Sequence, residues 1–449
     1  MKGRIVVIGG GAAGLMAAAG AGYWIDTHPE AFVERPEIFV LEKMPRPGRK
    51  IMITGKGRCN FTNMKQWQEF SAHVHPKANV LKPAFYNLNP EAMMDFLQNQ
   101  GLDCVVERGD RAYPASHVAS DVVDALVRAA ERAGAKIITD APVNQLSLKE
   151  DSRFLVNYSR GRSMVADKVI VATGGLSYPR TGSTGDGYVF AQQLGIRLTP
   201  TFPSLTAIVP KGYKNLSEDW TPQMKGHVDR SEPLSETGEQ LCGLELDNVA
   251  MSLMIDGSES AAEFGDISFT DGGLEGPVGF RLSRKVVNAV INGSKVAVCI
   301  DLKPAVELEE LNARVQKLWD EVCKDRRSQG KTYREKFRVL LSKLIPAQLV
   351  PMFMNYPVTL DHKSLPAALK GWKLPVEGYV GYERCVITAG GVDMAEVTPK
   401  TLETRQVKGL YFAGELLDLD ADTGGYNLQT AFSTGYLAGQ SAARSLSRL

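Results

Sequence analysis

The segment Arg4-Ile5-Val6-Val7-Ile8-Gly9-Gly10-Gly11-Ala12-Ala13-Gly14 constrains this chain more than any other stretch. A β-branched run ends in G-x-G-x-x-G and passes at once into Leu15-Met16-Ala17-Ala18-Ala19, in the order strand, tight turn, helix. Gly9 permits the turn, Gly11 lets the backbone approach a pyrophosphate, and Gly14 allows close helix–strand packing. The free N–H groups and the positive end of the helix dipole then face the phosphate charge. The next strand-like run, Ile38-Phe39-Val40-Leu41, closes on Glu42, whose carboxylate can accept hydrogen bonds from an adenosine ribose. Glu42 comes later than the usual ~20 residues after the glycines. An irregular insert around Asp26-Thr27-His28-Pro29-Glu30 accounts for the excess. A dinucleotide site is the expectation.

A length of 449 residues suggests two or three domains. Hydrophobic content of 44% with 23% charged residues describes an ordinary globular protein with a sizeable core. The formal charge of +1 gives no electrostatic case for a nucleic-acid or membrane partner. No run approaches the ~18 apolar residues of a membrane span, and the chain opens without a signal-peptide pattern. Six cysteines (Cys59, Cys104, Cys242, Cys299, Cys323 and Cys385) are scattered without a C-x-x-C pair, and the histidines lack metal-ligand spacing. No metal site is expected, and a reducing cytoplasm is the simplest location.

Along the chain, Arg46-Pro47-Gly48-Arg49-Lys50 through Gly55-Lys56-Gly57-Arg58-Cys59-Asn60 reads as an ordered loop. Asn89-Pro90-Glu91 starts a helix, with Asn as cap and Pro at the first helical position. A second helix covers Ser120 to Ala133, with Val122, Leu126, Ala129 and Ala133 on one stripe. Strands follow at Lys136–Thr139, Phe154–Tyr158 and Lys168–Ala172. From about Pro200 to Asp301, β-type pieces at Leu205–Val209, Gln240–Leu246, Ala250–Ile255 and Lys295–Ile300 alternate with turns. Between Glu307 and Tyr356 the pattern becomes helical. The basic stretch Lys324 to Arg338 reads as a solvated helix face, with a nucleic-acid or acidic-ligand patch as the alternative. Gly409-Leu410-Tyr411-Phe412-Ala413-Gly414-Glu415 is again a strand leading to an acidic turn, and Gly424-Gly425-Tyr426-Asn427 opens a closing helix, Leu428 to Leu446. The expected division is a discontinuous nucleotide domain at 1–199 and 376–449, an inserted β-rich domain at 200–304, and a helical subdomain at 305–375.

Three glycine-rich strand ends need one explanation. In an open parallel sheet, ligands lie outside the carboxyl ends of the strands. Ala172-Thr173-Gly174-Gly175 leaves room for a large ligand, and the final helix could aim its N-terminus at the ligand's far end. NAD alone would rarely need this third element. FAD would, because its isoalloxazine gains negative charge at N1 and C2=O on reduction, and a helix N-terminus stabilises that charge.

Gly48-Arg49-Lys50 with Thr54-Gly55-Lys56-Gly57-Arg58-Cys59-Asn60-Phe61-Thr62-Asn63 resembles the signature of a bacterial flavoprotein family, the BaiN/YhiN-type NAD(P)/FAD-dependent oxidoreductases. These include a bile-acid-pathway reductase and an aminoacetone oxidase. Further matches are Ala172-Thr173-Gly174-Gly175 with Tyr178-Pro179, Thr181-Gly182-Ser183-Thr184-Gly185-Asp186-Gly187-Tyr188, and Phe269-Thr270-Asp271-Gly272-Gly273-Leu274-Glu275-Gly276-Pro277. Phe412-Ala413-Gly414-Glu415 and Thr423-Gly424-Gly425-Tyr426-Asn427-Leu428-Gln429 complete the set, which spans nearly the whole chain. The resemblance implies an α/β fold: a discontinuous, glutathione-reductase-like FAD-binding Rossmann domain carrying an inserted β-barrel-like domain and a helical subdomain.

It also implies that Gly9, Gly11, Ala13 and Gly14 hold the pyrophosphate and Glu42 the adenosine ribose. Arg49, Lys50 and Arg58 would lie along the cofactor and Val143 at the adenine end. Gly414, Glu415, Asn427 and Leu428 would approach the ribityl chain and flavin. Ala12, Lys43, Gly57, Asn60, Ala172, Thr173, Gly174 and Gly425 complete the candidate cofactor-binding set. Two departures bear on the substrate side: Asp271 stands where His is expected, and Leu419-Asp420-Ala421-Asp422 replaces a turn usually containing Gly.

No catalytic acid or base is assigned. Arg58, Tyr113 and Asp271 are weak candidates, each with a plainer reading as a buried structural Arg, a cleft-edge aromatic and a turn cap. Cys59, without a partner cysteine, reads as a packed thiol, and Tyr426 as a residue that packs against the ring. No second strand–G-x-G-x-x-G–helix unit appears, so NADH or NADPH would dock transiently as electron donor. The Gly174-Gly175…Thr184-Gly185-Asp186-Gly187 pattern is also similar to fumarate-reductase-type flavoproteins. The first expectation is therefore reduction of an activated C=C bond in a small-molecule substrate, with the inserted domain forming the substrate face. The alternatives are an FAD-dependent oxidase of an amine or related metabolite, and a flavin-containing RNA-binding or tRNA-modifying protein.

Overall fold

Arg4–Ile8 forms the central strand of a five-stranded, all-parallel sheet in the order Leu410–Phe412, Lys168–Val171, Arg4–Ile8, Glu37–Leu41, Ala135–Ile138. The central strands are buried on both faces, so their residues are near-continuously apolar rather than alternating, and Ile5, Val6 and Val7 are fully buried. The computed structural model describes residues 3–217, 225–356 and 358–447. Two compact units divide the chain: residues 1–203 with 386–449, and residues 204–385.

In the first unit the turn Gly9–Gly11 leads into the helix Ala12–Thr27, which is buried on nearly all sides. The closing helix, Gly424–Arg444, packs along it backbone to backbone. A Cβ on Gly435 would fall 2.1 Å from the Ala13 carbonyl oxygen, and one on Gly439 would fall 2.0 Å from that of Ala17. These pairs advance together, so the two helices run in the same direction. Tyr411 donates from its hydroxyl to Ser445 at 3.0 Å, tying the edge strand to the closing helix. The helix Pro90–Asn99 is capped by the Asn89 side chain, which accepts from the Ala92 N–H at 2.8 Å. The helix Ala119–Arg132 buries Val122, Leu126 and Ala129. The strands Val143–Leu148, Phe154–Tyr158 and Arg162–Ala166 form an antiparallel sheet of their own.

The second unit is built around a closed barrel of six strands. Around it run Ile208–Pro210, Gly273–Glu275, Ser258–Thr270, Glu245–Ile255, Val296–Asp301 and Trp372–Val380, and the last pairs back onto the first. Closure removes most exposed strand edge. The helix Gly276–Ile291 packs against this barrel and buries Val278, Leu282 and Val286. The helices Leu308–Lys324, Tyr333–Leu344 and Val350–Met354 contribute Leu311, Leu340 and Phe353 to the same core.

Three local readings are corrected. Gln240–Leu246 is not one β piece: Ser235 caps the helix Glu236–Leu241, and the strand starts only at Glu245. The stretch from about Pro200 to Asp301, read as β-type pieces and turns, also holds the helix Gly276–Ile291, with Pro277 in its first turn. The closing helix starts at Gly424, so both glycines lie inside its first turn rather than before it.

The helix pair makes the first prediction. Gly439→Ala puts a methyl group into the Ala17 carbonyl and should destabilise the protein by about 3 kcal/mol. Chemical denaturation followed by far-UV circular dichroism measures this, and an unchanged midpoint would refute the backbone-to-backbone packing.

Candidate functional site

The carboxyl ends of the parallel strands open onto a groove lined by the turns that follow them. All its lining residues belong to the first unit.

The glycine turn forms one end. Gly9 has φ +103°, and a Cβ there would fall 2.5 Å from the Ala172 carbonyl oxygen. Gly14 approaches more closely still, with a Cβ position 1.8 Å from the Gly9 oxygen. Gly11 differs: no protein atom lies within 4 Å of its Cβ position, and it faces the groove. The helix that follows has neither a side-chain cap nor an acidic residue in its first turn. Its first N–H groups are therefore available to an anion.

Glu42, 9% exposed, closes the second strand. Its Oε2 accepts from the Gly10 N–H at 2.7 Å and its Oε1 from the Met44 N–H at 2.8 Å. Burial raises its carboxyl above the usual carboxylate range, against the pull of those two N–H donors and of the Lys43 and Arg49 cations. Lone pairs remain on both oxygens for hydroxyl donors in the groove. Ala141 and Val143 line the wall beyond it. Lys43 reaches across to Thr184 Oγ1 at 2.5 Å and Asp186 at 2.7 Å.

A polar cluster borders the groove through Lys50 and Glu415, with Ser177 and Thr388 buried behind them. Lys50 Nζ donates to Ser177 Oγ and to Glu415 Oε2, and Ser177 Oγ donates to Glu415 Oε1. The Thr388 N–H donates to Glu415 Oε1 at 2.9 Å, and Thr388 Oγ1 accepts from the Leu176 and Ser177 N–H groups at 2.8 and 3.2 Å. The buried carboxylate is thereby paired and fully hydrogen-bonded, as a charge in such a place requires.

At the far end the N-terminus of the closing helix faces the groove through Gly424, Asn427, Leu428 and Ala431. Its cap residue, Thr423, makes no side-chain cap, and the first turn holds no acidic residue. Asn427 accepts from the Ala421 N–H at 2.9 Å and donates to the Ala421 carbonyl at 2.7 Å. With Gly435 beside Ala13, this helix starts eleven residues before the level of Ala13, about 16 Å further along at 1.5 Å per residue. Two positive helix ends thus open on one groove at separated points.

Of the residues named from sequence, Gly9, Gly11, Ala12, Ala13, Glu42, Lys43, Arg49, Lys50, Val143, Ala172, Thr173, Gly174, Gly414, Glu415, Asn427 and Leu428 line this groove. Gly14, Gly57, Arg58, Asn60 and Gly425 do not. Gly14 serves helix packing, and Gly425 lies against the Asn60 side chain, 2.8 Å from its Cβ position. Arg58 pairs with Glu107 and lies 4.6 Å over the Tyr113 ring, and His117 Nε2 bonds the same Glu107 at 2.8 Å. Asp271 is in the second unit, held by Arg384 at 2.6 Å and Arg230 at 2.9 Å. The Cys59 thiol is buried and pushed up to about 12, an unreactive packed thiol. Ser177, Thr388, Val386 and Ile387 had not been named as site residues. Lone small hydroxyls and apolar residues carry no sequence signal of a site.

The residues present suit FAD. The bare Gly11 edge and first helix end match a pyrophosphate, Glu42 a ribose diol, and the second helix end with Lys50 a second centre of negative charge. These features define a Rossmann-type dinucleotide-binding site. A family model described as the HI0933-like protein Rossmann domain matches residues 3–441. The chain belongs to this family and is an FAD-dependent oxidoreductase. It is 31% identical to the 3-dehydro-bile acid delta(4,6)-reductase of Clostridium scindens, over 98% of this chain and 99% of that one. It is 27% identical to the ribosomal RNA dihydrouridine synthase of Haemophilus influenzae, over 98% of each chain. The corresponding Escherichia coli synthase is 26% identical, over 97% of this chain and 96% of the other.

Glu42 carries the site's prediction. A carboxyl whose folded value is raised stabilises the fold most below its unfolded value near 4.5, and that contribution is lost as pH rises through the folded value. Glu42→Gln should remove this downward slope from the stability of the FAD-free protein. It should also weaken FAD binding by about 10- to 100-fold, through lost charge-assisted hydrogen bonds. Denaturation across pH and flavin-fluorescence titration measure the two effects. An unchanged FAD affinity would remove Glu42 from the cofactor site.

Proposed function

We propose that the protein reduces a carbon–carbon double bond conjugated to a carbonyl, in a small organic substrate, with NADH or NADPH as transient donor. The observation that carries this reading is the bond type shared by its full-length relatives. One is named for reducing the delta(4,6) bonds of a 3-dehydro bile acid, and the others for making dihydrouridine, which is uridine with its ring double bond hydrogenated. In both substrates a carbonyl draws electrons from the double bond and makes one carbon a hydride acceptor.

Bound FAD supplies the hydride chemistry. The chain's own contribution is to hold and tune it. Gly11 and the first helix end receive the pyrophosphate, Glu42 the ribose, and the Gly424 end of the closing helix offers partial positive charge where a reduced ring is negative. Lys50, neutralised by Glu415 and oriented by Ser177, keeps a cation in the groove without leaving it uncompensated. The donor visits because no second G-x-G-x-x-G unit exists to retain it.

A second reading keeps the bond and changes the substrate to a uridine in ribosomal RNA. The two synthases and the exposed basic stretch favour it, since Lys324, Arg326, Arg327, Lys331, Arg334 and Arg338 are all exposed, Arg327 at 88% of its side chain.

Anaerobic stopped-flow of the FAD-loaded protein tests the proposal. NADH or NADPH should bleach the flavin, and a 3-oxo steroid with a Δ4 double bond should restore its colour. Bleaching by aminoacetone instead, with reoxidation only by oxygen, would replace the reductase with an amine oxidase. Colour restored only by ribosomal RNA would select the second reading. RNA binding should then weaken steeply with salt and be lost on reversing Arg327, Arg334 and Arg338 to Glu.

A further inference from the structure

The turn that replaces a glycine-containing one before the closing helix is held by an arrangement the cofactor reading does not use. Asp420–Ala421 pairs antiparallel with Val74–His75. Asp422 lies just beyond, with one imidazole on each carboxylate oxygen: His73 Nδ1 at 2.9 Å and His75 Nε2 at 2.7 Å. The Asp422 N–H donates to the His73 carbonyl at 3.0 Å. Tyr426, in the first turn of the helix, stacks on the His73 ring at 4.5 Å and 20°, and meets Phe70 edge-on at 4.9 Å. Asn427 closes the same loop through Ala421 and Thr423. Gly424 and Asn427 are groove residues, so the clamp is anchored within two residues of the groove wall.

We propose that His73, Asp422 and His75 form a positioning clamp for the flavin end of the groove, setting where the closing helix's N-terminus stands and thereby the affinity and redox potential of the bound flavin. The inference rests on the reading that the groove holds FAD.

A staple that only held the turn could be apolar. This one places two titratable rings beside a helix end that has neither side-chain cap nor acidic residue. Burial alone would raise the Asp422 carboxyl, but the bonds and charge from His73 and His75 bring it down to about 2, so the carboxylate stays ionised. The clamp fixes the chain that enters the helix: the Asp422 N–H on the His73 carbonyl, the two imidazoles on the Asp422 carboxylate and the Tyr426 ring on His73 tie the first turn to Val74–His75. Other charged groups near it are Asp420, two residues away and 1% exposed, Glu69, paired with Lys65, beside His73, and Asp110 and Arg111 near Tyr426, whose own hydroxyl is held protonated by burial.

The test separates geometry from charge. Asp422→Ala removes the clamp and should weaken FAD binding about tenfold and move the flavin midpoint potential to more negative values. The double variant His73→Asn with His75→Gln keeps a donor near each imidazole nitrogen but no titratable charge. It should keep most of the FAD affinity and potential that Asp422→Ala loses. Flavin-fluorescence titration and spectroelectrochemistry read both. If Asp422→Ala fails to fold, as judged by circular dichroism, Asp422→Asn decides alone: wild-type FAD affinity and potential in it overturn the inference. Wild-type affinity and potential in both Asp422→Ala and the double variant overturn it equally. Failure of the wild-type protein to bind FAD would instead overturn the cofactor reading, and that result is read before any variant is compared.

Discussion

The closest approach in the first unit is between backbones, and the groove depends on it. Gly14 lets the first helix sit on the Gly9 carbonyl, while Gly435 and Gly439 let the closing helix sit on the carbonyls of Ala13 and Ala17. Side chains at these points would push the helices outward by the width of a methyl group or more. Because the two helices run side by side in one direction, both present their positive ends to the same groove. The closing helix, starting eleven residues earlier relative to that contact, presents its end about 16 Å further on. A long ligand with negative charge at two separated places is what such a pair can hold, and a mononucleotide would leave one end unused.

This dependence explains what was legible in the sequence. The strand–turn–helix unit, the parallel strands at Lys136, Lys168 and Leu410, and the Asn89 cap all announce themselves through β-branched runs and turn chemistry at fixed offsets. Glu42 was legible because it ends a strand, and strand ends face the groove. The Ser177–Thr388 part of the polar cluster was not, since its members lie 211 residues apart and meet only when Ile387–Val392 is brought to the groove. The His73–Asp422–His75 clamp was hidden for the same reason, across 349 residues between His73 and Asp422. Non-local polar contacts leave no periodicity in the chain. The helix Gly276–Ile291 went unnamed within a stretch read as β-rich, although its apolar stripe of Val278, Leu282 and Val286 has helical spacing.

The groove also shows how buried charge is handled where chemistry needs it. Glu415 is satisfied by a lysine, a serine and a backbone N–H. Glu42 is bound by two backbone N–H groups, yet its carboxyl stays raised, because hydrogen bonds from neutral amides do not fully replace lost hydration. The two carboxylates therefore differ in kind. Glu415 is paired within the protein by a full cation, while Glu42 retains capacity for hydroxyl donors that only a ligand would bring.

A steroid and a uridine have little shape in common, and this bears on what such a groove selects. Hydride addition needs a carbon made electron-poor by a conjugated carbonyl, together with a flavin potential suited to that bond. Neither requirement fixes the outline of the molecule that carries it. On the proposed reading, the end of the groove with its exposed helix terminus, Lys50 and the clamp at Asp422 would set the electronic side of that match. Substrate outline must then be read elsewhere on the chain. In this protein the exposed cations between Lys324 and Arg338 would serve a polyanion and would be idle toward a neutral polycyclic ring. The formal charge of +1 over the whole chain offers a polyanion no wider attraction. That balance, together with the higher identity to the bile-acid reductase, weights the reading toward the small carbonyl-conjugated substrate.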